Sequence, residues 1–439
     1  MNLEFPDAET LRGANDYTAA DLPRVAVARR QRDPPTVDDV EQAAREAVAE
    51  IGAFGDDDTL PAGSEVAVTA GSRGIHDMPE LLAAAVDELR ARGYEPFVLP
   101  AMGSHGGATA DGQVETLDAL GITEDRLGCE IRSSMDVRAI GEDAMGRDVY
   151  AAADTLAADA VVLANRVKPH TDFRGDVESG LSKMAVIGLG KHRGAELLHN
   201  AAIATDFADV IADRMGVLLA ATPIVGGIAL LENADHRAAH VEGVPAADIP
   251  DREPDLLATA HDLFPTLPVD QLDLLVVDAA GKDKSGTGMD TNVLGRYDFH
   301  GEAEPETPQI TRVYARSLTA PSHGNALGVG LADLVHREFV ADIDFADTYV
   351  NIATSGEPRR AKLPLVVPDD ETALLLSCSM TGVADPSELR IARIPSTMDP
   401  DTLVVSEPVA AELREREEID VGPLQPLAFE DGELPADPY

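Results

Sequence analysis

Three glycine-spaced stretches of this chain carry side chains able to move protons or hold an anion. Residues 70–79 read AGSRGIHDMP and offer Arg73 and His76. Residues 100–109 read PAMGSHGGAT and offer His105. Residues 165–175 read NRVKPHTDFRG and offer Lys168, His170, Asp172 and Arg174. Imidazole titrates near neutrality, so one histidine on each of two loops suits proton transfer at both faces of a carbon centre. A guanidinium such as that of Arg73 can grip a carboxylate through two parallel hydrogen bonds.

Lysine usage adds a second signal. The chain has 29 arginines and only six lysines: Lys168, Lys183, Lys191, Lys282, Lys284 and Lys362. All but Lys362 fall in two glycine-bearing segments, residues 167–199 and 278–296. Arginine can replace a positive charge, but it cannot be deprotonated and cannot act as an amine nucleophile. Lysine kept in these places therefore points to a need for the amine. The bland readings stand beside the chemical ones. A histidine in a glycine-rich loop is often a turn residue, and an isolated surface arginine makes ion pairs worth little. His236, His240, His261, His300, His323 and His336 have no comparable setting and are read as structural. No phosphate-binding P-loop, HExxH or GxSxG pattern is present. A hydrolytic zinc centre needs three protein ligands and a water; His192, His199 and Asp172 are the only candidates for one.

The elements that must position these loops follow from apolar spacing. Strands are expected at 65–69, 96–99 and 160–164, each ending just before one of the three stretches. Helices are expected at 37–51 behind Thr36, at 78–92 closed by Gly93, at 110–120, and over most of 195–215. Strand, loop, helix and strand in that order indicate a parallel α/β sheet, whose C-terminal strand edge is where ligands bind. Residues 1–35 read as irregular and 232–268 as an inter-domain connection. The second half restarts with a strand at 272–277, followed by further strands at 349–353 and 373–377 and helices at 327–338 and 408–417. Residues beyond 423 read as a solvated acidic tail. The fold class is therefore α/β, with two α/β domains built on mostly parallel sheets and an active site in the cleft between them. Residues 1–265 form an N-terminal domain with the cofactor and the catalytic histidines, and residues 266–439 a C-terminal domain that closes the cleft.

With 79 acidic and 35 basic residues, the formal net charge is −44. Such a surface favours solubility in concentrated salt and offers no basic face to nucleic acid. The two cysteines, Cys129 and Cys378, form no CxxC pair, which suits a reducing cytoplasm. The N-terminal sequence MNLEFPDAET lacks the apolar core of a signal peptide. The longest apolar run, 215–231, is broken by Pro223, Gly226 and Gly227 and is short for a membrane span. No membrane partner is expected, and a homo-oligomer is compatible with these features.

Taken in order, Gly71-Ser72-Arg73, Gly103-Ser104-His105, Pro169-His170, Lys183 and His199, sixteen residues further on, resemble the pattern of the nickel-pincer lactate racemase family over residues 65–215. That resemblance implies a nicotinate-derived mononucleotide that holds nickel and is joined covalently to Lys183, with His199 as a nickel ligand. It implies His105 and His170 as the acid and base and Arg73 as the grip on the substrate carboxylate. Lys168, Arg174 and Lys191 would hold the cofactor phosphate. The partners implied are a small 2-hydroxy acid and the enzymes that synthesise the cofactor. The chain departs from the pattern at Ala70, where the pattern has Asp, and in its longer stretch from His170 to Lys183. The pattern's second-domain substrate residues have no match here; the loop 281–292, with Lys282, Lys284 and Asp290, is the expected replacement, and the expected substrate is not lactate. The expected activity is racemisation or epimerisation of a 2-hydroxy acid by removal and return of hydride. An oxidoreductase or lyase on the same or another nucleotide cofactor, and a non-catalytic cofactor-binding protein, remain the alternatives.

Overall fold

The computed structural model describes residues 4–54, 60–202, 206–355 and 357–439; at 198–202 and 354–355 the backbone alone is described. The chain divides into two compact units, one of residues 34–264 and one combining residues 1–33 with residues 265–439. The first 33 residues, expected in the N-terminal domain, thus belong with the C-terminal half. The cause is a strand, Val25–Arg30, which pairs antiparallel with Thr402–Ser406 on one side and Ile419–Val421 on the other.

The unit of residues 34–264 is built on a five-stranded sheet in the order Glu95–Pro100, Glu65–Ala70, Ala160–Arg166, Ile224–Glu232, Ala238–Pro245. The first four strands are parallel and the last is antiparallel to its neighbour. Glu65–Ala70 and Ala160–Arg166 read as continuous apolar runs because both are buried on both faces, as parallel strands are. The helix Met78–Ala91 starts with Pro79 in its first turn and ends at Arg92, before Gly93, whose φ of +90° suits only glycine without strain. It buries Leu81, Leu82, Ala85, Val86 and Leu89 against the sheet. Each of the larger side chains contributes about 1.5–3 kcal/mol by leaving water. The chain passes from Glu65–Ala70 to Glu95–Pro100 on one side and later returns to Ala160–Arg166 on the other. The strand order therefore reverses at Glu65–Ala70, and the loops leaving the C-terminal ends around it flank a crevice of the kind that binds ligands.

Three expectations for this unit need correction. The helix expected from residue 37 starts at Val40, because Asp39 and not Thr36 accepts the Gln42 N–H as its cap. The helical stretch 195–215 is two helices, Lys191–Ala202 and Phe207–Ala221, the second capped by Asp206. The expected connection 232–268, read as a polar stretch followed by a short helix, holds the strand Ala238–Pro245, and its helix, Ile249–Leu263, starts earlier.

The other unit carries an eight-stranded sheet in the order Leu365–Val367, Leu334–His336, Gln309–Leu318, Gln271–Ala280, Ile391–Ile394, Thr402–Ser406, Val25–Arg30, Ile419–Val421. The first five strands run parallel. Residues 349–353 and 373–377, expected as strands, lie in the helices Phe345–Ser355 and Asp370–Met380. Short apolar runs do not separate strand from buried helix. The caps do, since Asp344 accepts from Ala346 and Asp347, and Asp369 accepts from Thr372. Residues 327–338, expected as a helix, instead contain the strand Leu334–His336. The acidic tail is also tied down: Tyr439 donates to Asp278 and the Leu434 N–H to Asp370.

Candidate active site at the sheet edge of residues 34–264

The Arg73 loop leaves the end of Glu65–Ala70, and the His105 loop leaves the end of Glu95–Pro100. Ser72 Oγ and His105 Nδ1 lie 2.6 Å apart, so one hydrogen bond ties the two loops together. Both loops also press on the turn that follows Lys183. A Cβ on Gly71 would stand 3.2 Å from the Met184 methyl, and one on Gly103 would stand 3.0 Å from Ile187. That turn, Met184–Leu189, is a π-helix, a rare form found mostly at functional sites. It packs close because Gly188 has no side chain: a Cβ there would sit 2.5 Å from the Ala101 carbonyl oxygen.

The third loop leaves Ala160–Arg166 and is the long stretch noted in the sequence. It folds back on itself, with Lys168 and Ser179 exchanging backbone hydrogen bonds of 2.9 and 3.3 Å. Inside it lies Glu178, whose side chain is almost wholly buried. Its carboxylate accepts from the His170 N–H at 2.6 Å and the Gly175 N–H at 3.4 Å, and also meets Arg174 and His261 at 3.3 Å each. Phe173 pins the loop from below, stacked on Phe207 at 4.8 Å and beside the His170 ring at 4.4 Å. A second buried carboxylate, Glu253 from the helix Ile249–Leu263, accepts from the N–H and hydroxyl of Ser182. It thereby caps the turn that carries Lys183. Burial raises the Glu253 pKa, against the lowering effect of these hydrogen bonds.

Lys183 and His170 meet at the centre. The Lys183 amine contacts His170 Nε2, and burial lowers its pKa to about 8. The charges of Arg73 and Lys168 push in the same direction, while Asp172 and Glu178 oppose them. The Asp172 N–H donates to His170 Nδ1 at 3.0 Å, which orients the ring with Nε2 toward Lys183. Arg73 keeps an open edge to solvent, yet protein atoms crowd it enough to lower its guanidinium pKa, with the Asp172 carboxylate opposing.

Arg73, Lys168, His170 and Lys183 thus converge, with His105 joined to them through Ser72. Arg174 lies at the loop rim, 40% exposed and paired with Glu178. Lys191, expected on the cofactor phosphate, needs correction. It is fully buried and donates to the Pro100 carbonyl at 2.6 Å and Gln113 Oε1 at 2.9 Å, so its amine faces the protein interior. His192 is exposed, and so is His76, which pairs with Asp77. His199 lies in the helix Lys191–Ala202, but its side chain is outside the described residues. Lys282 and Lys284 belong to the other unit, on the loop after Gln271–Ala280; Lys282 donates to the Gly286 carbonyl and Lys284 pairs with Asp283. Among the described residues no three histidine, cysteine or acidic side chains cluster as a metal site. No described helix is long and apolar enough to cross a membrane.

Sequence reasoning missed Ser72, Glu178, Glu253 and Phe173. Ser72 stood in view beside Arg73, but nothing in the sequence paired it with a histidine 33 positions away. Glu178 and Glu253 were two acids among 79.

No protein-family model matches the chain, and neither does any curated protein. The structure is similar to that of the lactate racemase apoprotein from Thermoanaerobacterium thermosaccharolyticum, with a TM-score of 0.56. The match covers 88% of this chain and 96% of that one at 13% identity. At that identity the likeness establishes a shared α/β fold.

Proposed function

We propose that this protein is a racemase or epimerase of a small 2-hydroxy acid, working with a nickel-pincer nucleotide joined to Lys183. The observation that carries the reading is the Lys183 amine, its pKa lowered by burial to about 8, held against His170 Nε2 beside Arg73 and Lys168. Acylation of a lysine needs a free lone pair, and burial raises the share of the amine that has one. The donor set suits the rest of such a cofactor. Lys168 and Arg174 are cations near the loop that would meet its phosphate, and His199 is the imidazole that the sequence spacing offers to nickel. Imidazole and sulfur donors suit square-planar Ni(II). The likeness in fold to a lactate racemase apoprotein supports the same reading.

When bound, the cofactor supplies a hydride acceptor; the remaining work falls to the chain. Arg73 grips the substrate carboxylate in two-point fashion. The α C–H of a hydroxy acid is too weak an acid for direct proton abstraction, so a base must take the hydroxyl proton as hydride leaves. His105 and His170, on two separate loops, serve as that base from the two faces and return the proton after the planar oxo acid has formed. Ser72 orients His105, and the Asp172 N–H orients the His170 ring.

The test is production alongside the cofactor-synthesis enzymes, followed by intact mass, nickel analysis and a chiral assay over a panel of 2-hydroxy acids. A covalent adduct missing from Lys183→Ala, with inversion of at least one acid, is expected. An adduct with oxidation but no inversion would replace the racemase reading with an oxidoreductase, and a chain with no adduct would remove both.

A further inference from the structure

The arrangement around Lys183 has a consequence for the protein before any cofactor is attached. We propose that the Lys183 amine of the unloaded chain condenses reversibly with small oxo acids, making this site a binder of anionic carbonyl compounds through an imine. The inference does not rest on the nickel-pincer reading, although it uses the same amine.

Three features of the site support it. The amine lies against His170 Nε2, in a ring oriented by the Asp172 N–H at Nδ1. Burial, together with the neighbouring cations Arg73 and Lys168, lowers its pKa to about 8 and so raises the share of free amine, the circumstance that turns a lysine into a Schiff-base former. The same two cations suit a carboxylate on the incoming molecule, with Arg73 able to take it in two-point fashion. Lys183 as a residue keeps part of its surface open to solvent, which gives a small molecule an approach to the turn that carries the amine. Lys191 has an equally depressed pKa but is fully buried and donates to two acceptors.

The chemistry balances without an oxidant or reductant. The Lys183 nitrogen forms the C–N bond, and the carbonyl π pair moves to oxygen. The cationic nitrogen passes a proton to His170 Nε2, and Nε2 hands it to the oxygen. The hydroxyl of the resulting carbinolamine then departs as water, taking the proton that Nε2 relays from the nitrogen, and leaves the neutral imine. His170 therefore serves as a proton shuttle.

Protein produced without cofactor-synthesis enzymes is incubated with pyruvate and sodium cyanoborohydride, then measured by intact mass and peptide mapping. One adduct on Lys183 is expected, absent from Lys183→Met and slowed in His170→Gln. Arg73→Met should lower trapping of pyruvate about tenfold, the worth of one charge-assisted pair, and trapping of acetone by a smaller factor, through loss of the cation that helps lower the Lys183 pKa. Lys183→Arg, which keeps the positive charge, should also give no adduct, and circular dichroism of each variant verifies its fold. Labelling no greater than in Lys183→Met, or labelling spread evenly over Lys282, Lys284 and Lys362, overturns the proposal. Trapping without cofactor attachment on co-expression would remove the racemase reading alone, and attachment without trapping would remove this inference alone.

Discussion

Lys183 and Lys191 flank the same π-helical turn, and burial brings both amines down to about pKa 8. The two regions nevertheless differ in kind. Lys191 is sealed in the interior at a left-handed φ of +52°, a strained conformation for lysine, and its donors end on a backbone carbonyl and Gln113. Lys183 is partly open and meets an imidazole whose other nitrogen is already committed to a backbone N–H. A depressed lysine pKa thus reports burial in both places. Chemistry is indicated only where the amine also faces an acid–base group and an approach for a ligand. Lys191 instead ties the end of the strand Glu95–Pro100 to Gln113 in the helix Ala110–Ala119.

Several experiments test this contrast. The largest effect belongs to the histidines: His105→Ala and His170→Ala should each lower turnover by about 10²–10⁴-fold in a loaded protein, while Lys191→Gln should retain the cofactor adduct. Mass spectrometry and chiral analysis read both outcomes. Next, Lys191→Met strands the Pro100 carbonyl and Gln113, and should cost about 1–3 kcal/mol in urea unfolding. Lys183→Met leaves no such buried acceptor and should cost much less. If the two variants lose equal stability, the contrast fails.

The pH dependence gives a third, smaller measure. Both lysines bind a proton less readily when folded than when unfolded, so their protonation opposes folding fully below about pH 8. Stability should therefore rise with pH from about 8 toward the ordinary lysine value of 10.5, by at most about 1.4 kcal/mol per pH unit for each lysine. Replacing either lysine by Met should remove its share of that rise. Glu178→Gln should increase hydrogen exchange at the His170 amide, by an opening energy lower by about 1 kcal/mol, since that N–H loses a charged acceptor. The mildest change is Ser72→Ala, which should shift the ¹⁵N resonances of His105 toward a mixed tautomer and slow turnover less than the histidine variants.

The strands that frame the site were legible because 65–69, 96–99 and 160–164 are short, mostly apolar runs that each give way to a polar loop, and the helix 78–92 carried its own stop at Gly93. What escaped was structure specified at long range. Val25–Arg30 lies in a proline-rich stretch and is held as a strand by partners near residues 404 and 420. The tail beyond 423 is acidic enough to read as solvated, yet Tyr439 reaches Asp278. In the site, Arg73, His105, His170 and Lys183 were visible by type, because glycine-rich loops after strands narrow the choice to a few polar residues. Lys191 was misplaced for the converse reason: its neighbours in sequence are those of a binding loop, while its neighbours in space are Pro100 and Gln113.

The sequence by itself determined the inventory, meaning a parallel α/β frame, three polar loops at its strand ends and lysines retained where arginine would have kept the charge. Those properties are local, fixed by apolar runs, turn residues and side-chain chemistry. Only the tertiary structure decided which lysine faces an imidazole and which is sealed. It also decided which two acids, Glu178 and Glu253, hold the loop and turn in place. These depend on groups separated by tens of residues meeting at hydrogen-bond distance out of water, and no local pattern encodes that.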